Sequence, residues 1–508
     1  MSQLTRSAGV LLHPTSLPSP HGIGDLGAGA RRFVDWLEKA GVGLWQILPL
    51  VPVGAGDSPY ATASALAGNP LLIDLRGLAE VGLLTAAELT EADASCASLS
   101  VDAVDFDRVR ALKQPILDVA ADRLAAGTGS LASAFAHFAE AELWARETAT
   151  FLAIKAANAE RPWWEWDARL REYDPDAVAE AQAAHGEAIA RRIAIEFLFE
   201  HQWDALRAYA ADKGVRILGD VPIYVDRDSA DVWSNQDEFR LGSDGTPTVV
   251  AGVPPDFFCE NGQRWGNPLY DWEAMAKSGH AWWIRRLRRA MATADLVRID
   301  HFRGFSAFWE IPADAPDART GRWVDGPGKP LFDDLASALG ALPIIAEDLG
   351  VMDEAVVALR DAVGLPGMRI LQFAFGESAD HPFLPHNHVE HCVAYTATHD
   401  NDTSLGWWGG ASDAVRDHVR RYLAVGGQDI VWDLIRACLA SVARLAVVPF
   451  QDVLCLDSGS RMNTPGVGTG NWTWRVREAA FNGPLAGRLA SLNQLYGRHA
   501  TERLRSEA

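Results

Sequence analysis

Short runs of hydrophobic residues, each ending near a polar residue, recur along the chain and predict eight β-strands. They occupy residues 9–13, 43–50, 215–220, 296–300, 343–347, 368–373, 392–399 and 445–452. Continuous hydrophobicity without alternation is typical of strands that are covered on both faces, as in parallel sheets. Segments of helical period, such as residues 30–40 and 354–363, lie between several of these strands. The pattern therefore predicts an α/β fold, specifically a (β/α)8 TIM barrel.

Two interruptions are too long for ordinary loops of such a barrel. The first is rich in Ala and Glu, and its helical periodicity predicts an inserted, mostly helical subdomain over residues 75–205. The second, residues 226–295, is predicted to mix loops with a short helix. We expect three parts: residues 1–74 as the first part of the barrel, residues 75–205 as the helical subdomain, and residues 206–508 as the remainder of the barrel with its functional loops.

The composition is that of a globular chain with a large core, since 48% of the 508 residues are hydrophobic and 22% are charged. Asp and Glu number 67 against 46 Lys and Arg, which gives a formal charge of −21. Such a surface repels phosphate and anionic lipid, so neither nucleic acid nor a membrane is expected as a partner. We find no run of 18 apolar residues and no signal-peptide pattern, so the expected location is cytoplasmic.

Five widely spaced cysteines form no CxxC pair: Cys96, Cys259, Cys392, Cys438 and Cys455. An odd number without ligand spacing predicts neither a disulfide framework nor a zinc site, and it fits a reducing compartment. The 19 tryptophans indicate either broad, flat ligands or a large aromatic core, because indole offers both apolar area and an N–H donor.

Three carboxylates, Asp300, Glu347 and Asp400, lie at or just beyond the ends of predicted strands. The carboxyl ends of barrel strands form the functional face, so we expect these side chains to converge. Retaining glycosyl transfer uses two carboxyl groups about 5 Å apart, one as nucleophile and one as proton donor, while a third acid can grip the distorted sugar. Each acid alone could equally be a helix N-cap. Three at one barrel mouth favour the catalytic interpretation.

The residues around these acids form recognisable segments: LVRIDHFRG (296–304), IIAEDLG (344–350) and YTATHDNDT (395–403). Others are HPTSLPSPHGIG (13–24), DSPY (57–60), AGNP (67–70), GDVPIYV (219–225), VAGVPPD (250–256), GQRWGNPLY (262–270), RMNTP (461–465) and GNW (470–472). Together, and over nearly the whole chain, they resemble the amylomaltases, the 4-α-glucanotransferases of glycoside hydrolase family 77 in the α-amylase clan.

The resemblance implies a role for each site residue. Asp300 would be the nucleophile, oriented by Arg298, with Glu347 as general acid/base and Asp400 as a clamp on the sugar hydroxyls. Substrate contacts would come from Tyr60, Asp220, Phe257, Phe258, Trp265, Asn267, Asp348, His399 and Asn471. The family implies no cofactor and no metal, with malto-oligosaccharides and other α-1,4-glucans as donor and acceptor. Chain-length preference and oligomeric state stay open.

Two other functions also stay open at this point. A hydrolase of the same clan would share the fold and the acids, with water resolving the glycosyl ester. A catalytically silent glycan-binding protein would use the tryptophans, although three intact acids count against it. Aromatic residues in two loops are expected to roof the barrel mouth and to favour sugar acceptors over water: Phe257, Phe258, Trp265, Trp472 and Trp474. The Trp163–Trp166 segment is expected to be packing or, less often, a second sugar contact.

Overall fold

The computed structural model describes residues 4–255, 260–350 and 352–500, and its strands form two sheets. The strands of the described ranges are β1 (Ser7–Leu11), β2 (Leu44–Gln46), β3 (Arg216–Val221), β4 (Val249–Val253), β5 (Gln263–Pro268), β6 (Leu296–Ile299), β7 (Ala307–Pro312), β8 (Arg322–Asp325), β9 (Ile344–Ala346), β10 (Gly367–Ile370), β11 (Cys392–Tyr395) and β12 (Leu445–Pro449).

Eight of these strands form a parallel barrel in the order β10-β11-β12-β1-β2-β3-β6-β9. Every neighbouring pair in that order is parallel. The remaining seam, between β9 and β10, is bridged by the Ala346 N–H, which donates to the Pro366 carbonyl at 2.9 Å. The eight strands coincide with the eight predicted hydrophobic runs, so the predicted (β/α)8 barrel is confirmed.

The helices of the described ranges follow in chain order. They are α1 (Ala28–Lys39), α2 (Leu75–Glu80), α3 (Ala86–Cys96), α4 (Phe106–Ala125), α5 (Ala132–Ala141), α6 (Leu143–Ala157), α7 (Ala168–Arg171), α8 (Pro175–Ala184), α9 (Gly186–Asp212), α10 (Ala230–Ser234), α11 (Trp272–Lys277), α12 (Ala281–Thr293), α13 (Gly328–Leu339), α14 (Glu354–Val363), α15 (Ser404–Gly410), α16 (Asp413–Leu423), α17 (Ile430–Ala440), α18 (Phe450–Val453) and α19 (Gly483–Leu495).

Helix α1 shows why the barrel helices form where they do. Its buried residues Phe33, Val34 and Leu37 recur at helical spacing and cover the barrel, while its polar residues face outward. Helix α14 follows the same rule and begins at Asp353, whose side chain accepts from the Val356 N–H as an N-cap. These helices therefore cover the outer face of the parallel sheet.

Between β2 and β3 the chain forms helices α2 to α9. Helix α9, with 27 residues, runs on to Asp212 and leads directly into β3. The Trp163–Trp166 segment packs inside this region: Trp163 and Trp166 are buried, and their indole N–H groups donate to the carbonyls of Arg227 and Arg161. Their contacts are those of packing residues.

The second sheet is antiparallel, with the order β5-β4-β7-β8. Strands β4 and β5 lie in the connection between β3 and β6, while β7 and β8 lie in the next connection, between β6 and β9. The sequence prediction for residues 226–295, loops with a short helix, missed these two strands. Besides loops and the short helices α10 and α11, the region contains β4, β5 and the 13-residue helix α12. Strand β5 carries Trp265, one of the substrate contacts predicted from the sequence.

Within the described ranges, no helix combines the length and hydrophobicity that crossing a bilayer requires.

Candidate active site

The carboxylates predicted from the sequence meet at the carboxyl ends of four barrel strands. Asp220 is the second-last residue of β3, Asp300 directly follows β6, and Glu347 directly follows β9. Asp400 lies a few residues beyond β11. The ends of parallel strands face the same side of a barrel, so residues far apart in sequence become neighbours there.

Arg298 links two of these acids. This buried side chain donates from Nη1 to both carboxylate oxygens of Asp220, at 2.8 and 2.6 Å, and from Nη2 to Asp300 Oδ1 at 2.7 Å. Burial opposes its charge, yet Asp220 and Asp300 together raise the pKa of Arg298 far above its ordinary value. The guanidinium thus stays charged and fixes one oxygen of Asp300, while the Asp300 side chain keeps 28% of its surface exposed.

Glu347 is held by backbone groups and has no cationic partner in direct contact among the described residues. Its Oε2 accepts from the His301 N–H at 2.7 Å, and its Oε1 accepts from the Leu349 N–H at 2.9 Å. Burial and the neighbouring Asp300 raise its pKa to about 8, against the opposing charge of Arg298. At neutral pH this carboxyl is therefore mostly protonated and can act as a proton donor.

Tyr60, Asp220 and His399 form one hydrogen-bonded group beside Arg298. The Tyr60 hydroxyl donates to Asp220 Oδ2 at 2.6 Å and lies 2.9 Å from His399 Nε2. The two rings are stacked, with centroids 5.4 Å apart. Burial and Asp220 raise the pKa of Tyr60, so its phenol keeps the proton that it donates. These contacts place a flat aromatic surface next to the acids.

Asp400 is held from two sides and is partly exposed. The Asn463 amide donates to Asp400 Oδ1 at 2.6 Å, Arg461 donates to its backbone carbonyl, and His399 Nε2 lies 3.3 Å from Oδ2. The sequence prediction did not name Asn463 or Arg461 individually. Both belong to the quoted segment RMNTP, so the segment was the signal, but only the fold shows that it reaches Asp400.

The predicted loop residues occupy three different environments. Trp265 is 39% exposed, and its ring meets the ring of His301 edge to face with centroids 4.9 Å apart. Asn267 instead donates to the Val225 carbonyl at 2.8 Å. Asn471 bonds within its own loop, accepting from the Thr464 N–H and donating to the Val467 carbonyl. Phe257 and Phe258 lie outside the described residues.

Two aromatic or imidazole residues near the site were not among the predicted contacts. His301, next to Asp300, has a left-handed backbone (φ 54°) that turns its N–H toward Glu347 and its ring toward Trp265. Trp472 was expected in the roof, but it is 5% exposed and packs against Tyr60 and His399. Its ring therefore packs against the hydrogen-bonded group of Tyr60, Asp220 and His399.

Asp348 is turned away from this cluster, although it adjoins Glu347 in sequence. Its side chain is 1% exposed and accepts from the Met368 N–H at 2.6 Å and from Arg360 at 2.5 Å. A Cβ at Gly367 would lie 2.1 Å from this carboxylate, so only glycine leaves room for it. The contacts tie β9 to β10 at the barrel seam.

One group among the described residues could approach a metal ion, and it includes none of the predicted site acids. The ligand atoms of His21, Asp25 and Asp74 fall within 4.8 Å of one another. Asp25 already accepts from Ser19 and from a backbone N–H, and Asp74 caps α2. The nearby charge of Lys113, which is fully buried, also lies against both carboxylates. Lys113 therefore already supplies positive charge to this cluster.

Known proteins resemble this chain in both sequence and fold. The family profile described as 4-alpha-glucanotransferase matches residues 12–480. The 4-alpha-glucanotransferase of Thermus thermophilus is 47% identical over 516 residues, which cover 99% of this chain and 100% of the relative. The chloroplastic/amyloplastic 4-alpha-glucanotransferase of Arabidopsis thaliana is 46% identical over 500 residues, which cover 97% of this chain and 86% of the relative.

A solved structure agrees over the same length. The amylomaltase from Streptococcus agalactiae in complex with acarbose has a TM-score of 0.92 and 35% sequence identity, over 97% of this chain and 100% of that chain. Because the agreement extends over both whole chains, the two proteins have in common the barrel and also its insertions.

Proposed function

This chain belongs to the 4-α-glucanotransferases of glycoside hydrolase family 77 and has that activity on α-glucans, and we propose that Asp300, Glu347 and Asp400 carry it out by double displacement. The hydrolase of the same clan and the silent glycan-binding protein are not favoured, since the named relatives are transferases. Malto-oligosaccharides are the proposed donors and acceptors. The observation that carries the proposal is the contrast between two neighbouring carboxyl groups. Asp300 forms an ion pair with Arg298, whereas Glu347 is buried and its pKa is raised.

That contrast assigns the two roles. Asp300 has its charge stabilised by Arg298 and is partly exposed, so it can attack as a carboxylate. Glu347 keeps its proton at neutral pH, because burial and the charge of Asp300 penalise its ionised form. An ionised carboxylate beside a cation and a protonated carboxyl group in a buried environment are the usual arrangement for a nucleophile and a general acid.

In the first step an Asp300 oxygen forms a bond to C1 of the donor sugar while the bond from C1 to the glycosidic oxygen breaks. Glu347 gives its proton to that oxygen, and the released glucan leaves with a new 4-hydroxyl. In the second step the carboxylate of Glu347 takes the proton of an acceptor 4-hydroxyl. The acceptor oxygen bonds to C1, the ester to Asp300 breaks, and both side chains return to their starting states.

Asp400 is the proposed clamp on the hydroxyls of the sugar at the cleavage point. Asn463 and His399 fix its carboxylate, and 41% of its side chain remains exposed for substrate. Hydrogen bonds from hydroxyls to a carboxylate strengthen as positive charge develops in the ring, so the clamp favours the transition state over the bound substrate. Tyr60 would stack on the same sugar, and Asp220 orients both Tyr60 and Arg298.

The outer contacts belong to the same proposal. Trp265, Asn267 and Asn471, together with Phe257 and Phe258, would hold the glucan chains, and Trp265 would exclude water from the ester.

We propose the division into residues 1–74, 75–205 and 206–508, which helices α2 to α9 support, although α9 extends past the second boundary. A cytoplasmic location is also proposed. The cysteines that the structure describes form no disulfide, which fits a reducing compartment.

The test is incubation of the purified enzyme with maltotriose alone. We expect glucose together with a ladder of longer maltodextrins, and almost no increase in total reducing ends, because each bond cleaved is replaced by a new α-1,4 bond. Chromatography of the products and a reducing-end assay on the same samples give both numbers. An increase in reducing ends that equals the number of bonds cleaved would contradict transfer.

A further inference from the structure

A small cavity lies behind His399, at the carboxyl end of β1. It has a volume of about 20 Å³, and His13 and His399 both line it, together with the polar side chains of Thr398, Asn401 and Gln451. Both histidines are buried. None of the roles proposed above uses His13, so the reason for a second buried imidazole at this position is open.

The contacts of His399 fix which nitrogen carries its proton when the ring is neutral. The Tyr60 hydroxyl donates its own hydrogen to Asp220, so its oxygen can only accept from His399 Nε2. Asp400 also lies on the Nε2 side, and a carboxylate requires a donor there. His399 Nδ1 is then an acceptor, and no residue that the structure describes donates to this buried atom.

The contacts of His13 give the opposite result. The Leu48 N–H donates to His13 Nδ1 at 3.3 Å, so Nδ1 accepts and the proton of the neutral ring is on Nε2. Burial lowers the pKa of His13 to about 3, so the ring is neutral under ordinary conditions. Within the described ranges, Nε2 has no protein partner. One ring thus offers a donor and the other an acceptor at the same cavity.

We propose that one water molecule in this cavity accepts from His13 Nε2 and donates to His399 Nδ1, which makes His13 a positioning residue for His399 and, through it, for Asp400 and Tyr60. The polar lining gives this water further partners, as buried waters require. The inference rests on the proposed function only in its last step, the effect of His399 on the proposed clamp Asp400. The two tautomers can be measured without any assay of activity.

Two substitutions separate the cavity donor from the contact to Leu48. In His13→Gln the terminal amide reaches the position of Nε2 and can donate into the cavity, whereas in His13→Asn the shorter amide reaches the position of Nδ1 and can accept only from Leu48. We expect His13→Gln to keep most of the wild-type rate. His13→Asn should lower kcat on maltotriose about tenfold with little change in KM, as for one buried hydrogen bond lost. Leu12→Met, a volume-conserving change in the cavity wall, is the control and should behave as wild type.

The spectroscopic test uses the full-length enzyme with ¹⁵N-labelled histidine. Long-range ¹H–¹⁵N spectra distinguish a protonated ring nitrogen from an unprotonated one, and the His399 signals are assigned by their loss in His399→Gln. We expect His399 to be protonated on Nε2 and His13 on Nε2 in the wild type. A proton on His399 Nδ1, or a His13→Asn enzyme more active than His13→Gln, would overturn the proposal.

The test holds even if both His13 variants fold poorly, because the wild-type spectrum alone reports the tautomers. It also distinguishes this inference from the proposed function. An active Asp400→Asn enzyme would contradict the clamp and leave the two tautomers as they are, whereas the wrong tautomer would contradict only the role of His13.

Discussion

The strand ends of the barrel and the antiparallel sheet beside them hold their functional side chains in different ways. At the strand ends, Asp220, Arg298 and Asp300 are joined by three hydrogen bonds between charged groups, and Arg298 is buried. On the sheet, Trp265 is 39% exposed, and among the described residues its indole N–H bonds only to the Gln263 side chain, two residues earlier. Groups that react must be fixed to within fractions of an ångström, whereas a stacking surface for sugars tolerates more freedom.

The difference divides the consequences of mutation. Changes at the strand ends should affect the rate of bond cleavage itself. Changes on the sheet should instead affect what happens to the glycosyl ester after it forms. Each substitution below tests whether the two regions can be separated in this way.

The largest effect is expected for Asp300→Asn. The amide has nearly the same size and can still contact Arg298, but it cannot attack C1, so disproportionation should fall by several powers of ten, each about 1.4 kcal/mol in barrier height. The initial rate of glucose release from maltotriose measures the loss, and thermal unfolding controls for the fold. Retention of more than about a tenth of the rate would remove Asp300 from the role of nucleophile.

Glu347→Gln should be slow on natural glucans, by about 10² to 10⁴-fold, because the amide has no proton of suitable acidity to give to the leaving oxygen. A glucosyl fluoride needs no such proton, so its turnover should suffer much less. The ratio of the two rates is the measurement. An equal loss on both substrates would argue against the acid role.

The pH profile gives a second test of Glu347. Since its pKa is raised to about 8 and the acid form is required, kcat/KM should stay high at neutral pH and fall as the pH rises through about 8. In Glu347→Gln this alkaline decline should disappear. A decline that persists unchanged in the variant belongs to another group.

The strand ends and the antiparallel sheet also differ in how well the sequence predicts them. Barrel strands are recognisable as continuous hydrophobic runs, and the acids at their ends follow from the strand positions. Strand β5 has the sequence QRWGNP and is half exposed, and β8, RWVD, is largely exposed, so neither carries a hydrophobic period. These strands exist because they pair with β4 and β7, and a pairing between distant segments leaves little local signal.

Individual contacts were harder to predict for the same reason. Asn463 reaches Asp400 across 63 residues of sequence, and the Asp348 carboxylate faces the barrel seam while Glu347 faces the mouth. Neighbouring residues at a strand end point in opposite directions, so a one-residue step separates the proposed general acid from an acid that is packed into the seam. A motif locates both acids, but only the barrel determines which one meets the cleft.

Asp348→Asn tests that separation and should affect stability more than rate. The substitution removes the buried one of the two carboxylates that pair with Arg360, a mostly buried cation, which should cost about 3 kcal/mol of unfolding free energy. Asp361→Asn is the control, because it removes a solvent-exposed partner of the same arginine and should cost about 1 kcal/mol or less. Denaturant unfolding compares the two. A normal stability with a raised KM for acceptor would instead support the acceptor contact that the sequence predicted for Asp348.

The smallest effect on cleavage, and the clearest on product distribution, is expected for Trp265→Ala. An acceptor held over the ester competes with water through its high effective concentration, which for aligned groups reaches about 10⁵ M or more against about 55 M for water. Removing the indole should loosen that alignment and admit water, so cleavage continues while the share of hydrolysis rises. The ratio of new reducing ends to glucose released from maltotriose measures this share.

Trp323→Ala provides the matched control for that experiment. Trp323 lies on β8, at the opposite edge of the same sheet, and its 40% exposure is nearly that of Trp265. Its ring contacts Arg303 and Trp309, and within the described ranges it makes no ring contact with Tyr60, Trp265 or His301. If both substitutions raised hydrolysis equally, the cause would be a general loosening of the sheet. If only Trp265→Ala does so, the sheet edge at β5 governs the choice between sugar and water, and the strand ends govern only the bond that breaks.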